Sequence, residues 1–94
     1  NIVYKENGDA IEFARVLARG ADWNGIREAL NKCDLSNPEG IRQLVMSYAN
    51  SILMKGMNTY AVAMIQAFGN QSTYQNGKYS LTIASLDYLD LINS

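Results

Sequence analysis

The sequence predicts an all-α domain: a single compact bundle of about five helices with an antiparallel helix pair at its centre. Three observations predict it. From Asn37 to Leu53 the apolar residues recur at helical spacing behind a capping residue and a proline. The break at Gly56-Met57-Asn58 is short and leads directly into a second apolar run. Pro occurs once in 94 residues and 48% of them are hydrophobic, a composition that builds a core and not a disordered tail.

Each element follows from local signals. Residues 1–8 are polar and end in Asn7-Gly8, so they are read as a linker or the tail of a preceding element, with the helical domain over 9–94. Asn1 stands where Met begins a gene product, and the chain is expected to be a fragment or processed piece. Asp9 can cap a first helix to about Arg19, with Ala10, Phe13, Ala14 and Leu17 on one face and Gly20 closing it. Asp22 caps a short second helix in which Trp23, Ile26, Ala29 and Leu30 fall at helical spacing. Lys32 suits the negative end of that helix. Gly25 within it costs about 1 kcal/mol relative to Ala, and is expected to admit a neighbouring backbone.

The third helix opens with Asn37 as cap and Pro38 and Glu39 in its first turn. Its stripe is Ile41, Leu44, Val45, Tyr48, Ala49, Ile52 and Leu53. Asn58 restarts a fourth helix, Thr59 to Phe68, which is apolar nearly all round. Such a helix sits at the centre of a bundle or at an interface. The third helix can cover one side of it and the final helix another; an adjacent subunit is expected to cover the rest. The last third admits two readings. Asn76-Gly77 between Ser72–Gln75 and Lys78–Ile83 matches a hairpin signature. Lys78 to Ile92, however, holds no turn residue and is long for a strand, so a fifth helix is predicted. Its face is Leu81, Ala84, Tyr88 and Leu91, with Ile83, Leu86 and Leu89 beside it.

Bulk properties narrow the function. A chain of this size buries roughly 60–65% of its unfolded surface, enough for one modest core. A net charge of −1 and a pI near 5.2 argue against nucleic-acid binding by the domain as a whole. Arg15, Arg19 and Arg27 are interleaved with Asp9, Glu12, Asp22 and Glu28, a mixed surface that allows at most a weak DNA contact. No stretch approaches the roughly 20 apolar residues of a membrane span, and the opening residues lack the pattern of a secretory leader. A cytoplasmic location is expected.

Catalytic chemistry has little to stand on. There is no His, which excludes Ser–His and Cys–His nucleophile systems and His metal sites. One Cys makes neither an internal disulfide nor a thiolate zinc site, and Cys33 reads as a structural thiol. Asp87 and Asp90 share a face of the last helix, as a hydrolytic or metal-binding pair would, but a solvated face looks the same. Every Gly is isolated and no phosphate loop is present. No catalytic residue, cofactor, metal or small-molecule substrate is therefore expected. Met46, Met54, Met57 and Met64 can line an adaptable groove, though core packing accounts for most of them. The tyrosines favour positions with one wet end, including subunit interfaces. Tyr60, Met64, Tyr79 and Leu86 are the candidate interface residues.

Three segments together resemble the C-terminal helical domain of clamp-loader ATPases of the small-subunit type, which includes replication factor C and its phage and bacterial relatives. Phe13 to Leu30, with Asp22-Trp23-Asn24-Gly25-Ile26-Arg27 at its core, is similar to the opening helix pair. Asn37 to Lys55 resembles the long helix after an acidic, Pro-containing loop. Ala61 to Phe68, then Tyr74, Gly77 and Leu81 through Leu91, resembles the final helix pair. The resemblance covers most of 9–92 by pattern, without a diagnostic residue. It implies a collar domain that joins subunits of an ATPase ring loading a sliding clamp in DNA replication. Its partners would be other subunits of that ring, and its ATPase residues would lie in other domains. A free-standing helical adaptor is the alternative.

Overall fold

Capping side chains decide where most helices begin. The computed structural model describes the backbone of residues 2–94 and the side chains of residues 8–94. Six helices follow one another: α1 (Ile2–Ala18), α2 (Trp23–Asn31), α3 (Pro38–Leu53), α4 (Thr59–Gly69), α5 (Thr73–Asn76) and α6 (Tyr79–Asn93). There is no strand among the described residues. Asp22, Asn37 and Asn58 each accept a hydrogen bond from the backbone N–H three residues on, at 3.1, 3.1 and 3.0 Å. Ser72 does the same for α5, from Gln75 at 3.3 Å.

Two boundaries differ from expectation. α1 begins at Ile2, so Asp9 lies inside it and does not cap it. A single glycine weakens a helix by about 1 kcal/mol without ending it, and the backbone stays helical through Asn7-Gly8. The hairpin reading of 72–83 is replaced by α5 and the start of α6. Gly77 turns the chain between them at φ 55°, where a side chain would be strained.

α1 ends as its sequence predicts. The N–H of Gly20 donates to Leu17 and that of Ala21 to Val16, at 3.0 and 3.3 Å, a paired closure that needs the positive φ of 75° at Gly20. The ring of Tyr60 lies against this glycine; an added Cβ would meet it at 2.6 Å. Gly25 serves a different purpose from the one expected. Its closest neighbours are the side chains of Ala21, Asp22 and Val16, so no second backbone approaches it.

α4 is the central element. It packs against α3, α6 and α1, and Ala61, Ala63, Met64, Ala67 and Phe68 are buried. α1 covers part of the side that α3 and α6 leave, while Tyr60 stays exposed and Val62 and Ile65 are half-buried. Phe13 of α1 meets Phe68 edge-on, ring centroids 5.9 Å apart. Ile41, Val45 and Ala49 of the predicted α3 stripe are buried, and its remaining members pack against the same core. α6 buries Ser80, Leu81, Ala84, Ser85 and Tyr88. Leu91, predicted on that face, is exposed. Ser85 takes inner space by donating its hydroxyl to the Leu81 carbonyl at 2.8 Å, and Tyr88 donates to the Leu17 carbonyl of α1.

A polar clamp fastens α3 to the segment after α4. Arg42 holds Glu39 through two bonds of 2.8 Å and donates a third, of 3.0 Å, to the Phe68 carbonyl. Gln43 and Thr73 each donate to the same carboxylate at 2.7 Å. Arg42, then Gln43 and Thr73, hold the Glu39 carboxyl down to about 2 from an ordinary 4.5. The folded carboxyl is more acidic than the unfolded one. Its contribution is therefore complete above about pH 4.5 and is lost as pH falls toward 2. The side chain is 40% exposed, so solvent screening keeps the effect small. Glu39→Gln is expected to flatten the acid limb of a melting-temperature profile between those two values. An unchanged slope would show that the clamp adds nothing to stability.

Candidate functional site

Tyr79, Ile83, Leu86 and Asp90 follow one another at spacings of four, three and four residues, which places them on one stripe of α6. The stripe faces outward: Tyr79 is 65%, Leu86 50% and Ile83 36% exposed. Three large apolar side chains in a row on one helix mark a surface suited to contact with another molecule. The opposite face of α6 fixes its orientation, because Leu81, Ala84 and Tyr88 are buried against the core. Lys78 stands at the head of the stripe, with Nζ 5.6 Å from the centroid of the Tyr79 ring.

The four predicted interface residues separate. Tyr79 and Leu86 share this stripe. Tyr60 is 40% exposed but rests its ring on Gly20, at the closed end of α1. Met64 is a correction: it is wholly buried between helices of its own chain, so it belongs to the core and not to a surface. Ile83 joins the stripe in its place. Its sequence signal was the four-residue step from Tyr79, which becomes visible once the buried face of α6 is known.

The methionines likewise divide. Met46 packs against the core with Met64, whereas Met54 and Met57 stand exposed around the α3–α4 break. Asp87 and Asp90 border an open hollow of about 470 Å³ with Gln66, Ala67, Asn70 and Leu91. Asp87 accepts a hydrogen bond from Gln71 at 3.3 Å. No group of three or more potential metal ligands occurs among the described residues. Cys33 is half-buried and its thiol points at the carbonyls of Ala29 and Asp9, at 3.4 and 3.6 Å. Burial, and then the charge of Asp9, push it up to about 11, which leaves almost no thiolate at neutral pH. Glu12 lies 3.9 Å from Arg15 and 3.6 Å from Arg19, so these two cations sit beside an acid at the C-terminal end of α1 and the turn after it. No helix of the described residues is long and apolar enough to cross a membrane.

Comparison with protein-family models, with curated proteins and with solved structures finds no match to this chain.

Proposed function

We propose that this domain is a non-catalytic assembly module that joins proteins through the exposed stripe of α6. The observation that carries the reading is the run Tyr79, Ile83 and Leu86, solvent-facing on a helix whose other face is anchored in the core. Large apolar side chains presented on a rigid helix are the usual anchors of a protein interface. The particular assembly implied by the sequence resemblance is the collar of a clamp-loader ring, in which this domain would hold ATPase subunits together during DNA replication. A phosphate loop encoded upstream of Asn1 is expected on that reading. A gene that begins near Asn1 overturns the collar and leaves an adaptor that uses the same stripe.

Leu86→Asp tests the assembly role. In the full-length protein it is expected to weaken association more than about tenfold, because a carboxylate would be forced into an apolar contact. The mass of the assembly, measured by light scattering on a sizing column, reports the change. An unaltered mass at every concentration would overturn the role assigned to α6.

A further inference from the structure

The charges bordering the stripe run against their own helix. α6 has no acidic residue in its first turn and no basic residue in its last, and Lys78 stands at its N-cap with no side-chain cap bond. Asp90 lies in the closing turns. A helix favours acids at its N-terminus and bases at its C-terminus, so both ends carry the less favourable sign.

We infer that the partner of the stripe is a second copy of this domain, docked with its α6 antiparallel to the first. The inference rests on the assembly reading above and names its partner. With a two-fold axis set between Ile83 and Leu86, Ile83 of one copy faces Leu86 of the other, and Tyr79 faces Asp90. The stripe extends roughly 16 Å along the helix, at 1.5 Å per residue. Lys78 then reaches Asp90 of the second copy at both ends of the contact, and each helix terminus gains the charge it lacks. A parallel pair would set lysine beside lysine and aspartate beside aspartate. Asp87, just off the stripe, is occupied by Gln71 of its own chain. The two-fold arrangement is self-complementary, as isologous interfaces are, so it fits the adaptor form of the assembly reading and not the collar, whose subunits meet head to tail.

One helix face buries less than the roughly 800 Å² per partner of a standard interface, so the pair is weak, with a dissociation constant on the order of 100 µM. Sedimentation of the full-length protein over a concentration series tests it. The unaltered chain is expected to dimerise reversibly. Lys78→Asp and Asp90→Lys are each expected to weaken the dimer by about tenfold, through lost pairing and new repulsion. The double variant, with the two charges exchanged, is expected to recover most of that loss. Both side chains are exposed, and a melting temperature no lower than the parent's verifies that each variant folds, since each reversal brings the favourable sign to its end of the helix. A double variant as weak as the singles, or a chain that stays monomeric at millimolar concentration, overturns the antiparallel pair. If Leu86→Asp still disrupts the larger assembly in that case, the α6 surface stands with a different partner. If Leu86→Asp is silent as well, both ideas fall.

Discussion

Phe68→Ala is expected to destabilise the fold by about 3–5 kcal/mol. Phe68 is wholly buried in the last turn of α4, the helix that touches α1, α3 and α6 together. Truncation removes apolar area and leaves a cavity that three helices border, with little freedom to collapse into it. It also removes the edge-on contact with Phe13, worth about 0.5–1.5 kcal/mol beyond the area itself. The Phe68 carbonyl, which Arg42 holds at 3.0 Å, is retained by alanine, so the loss reports packing alone. A domain of this size has a total stability of about 5–15 kcal/mol, and the variant gives up from about a fifth to nearly all of it. At about 4–8 °C per kcal/mol, the melting temperature should fall by roughly 12–40 °C. Urea titration gives the free energy directly. A loss under about 1 kcal/mol would mean that α4 is not the centre of this core.

What the sequence could and could not convey follows from how each signal arises. α3 was legible because cap, proline and a complete apolar stripe all name the same helix, and local consistency of that kind seldom misleads. α6 was legible as a helix by its length but not by its buried face. Ser80 and Ser85 occupy inner positions that hydropathy assigns to larger residues. Their hydroxyls donate to Gly77 and Leu81, which makes them small and satisfied. The role of α1 could not be read from any local pattern. Its contact with α4 joins segments far apart in the chain, and an all-round apolar helix gives no sign of which neighbours close over it. That ambiguity places Met64 among the candidate interface residues although it lies in the core. Tyr79 and Leu86 face outward, since α6 contains more apolar residues than one buried face can use. The clamp between Glu39, Arg42 and Thr73 was half-visible: Glu39 and Arg42 are one turn apart, but Thr73 is brought in by the fold.

Met64→Asp and Leu86→Asp introduce the same side chain on two different helices, α4 and α6, and their expected outcomes are opposite. At Met64 the carboxylate would lie in a fully buried site within the apolar core. Leaving a charge unpaired in such a place, or protonating it to avoid that, costs about 4–5 kcal/mol or more once the lost methionine packing is included. That is comparable with the whole stability of a domain this small. The variant should lose its cooperative thermal transition at neutral pH. At Leu86 the side chain is 50% exposed and the new charge remains in water, so even with a like charge at Asp90 one turn on, stability should fall by no more than about 1.5 kcal/mol. Only association should be lost. Circular dichroism melts at low concentration, where any assembly is dissociated, separate the two effects. If Leu86→Asp unfolded the isolated domain as Met64→Asp does, the outer stripe of α6 would be serving the fold. If instead it melts normally and fails to associate, the stripe belongs to a partner, because its removal leaves the chain's own packing intact.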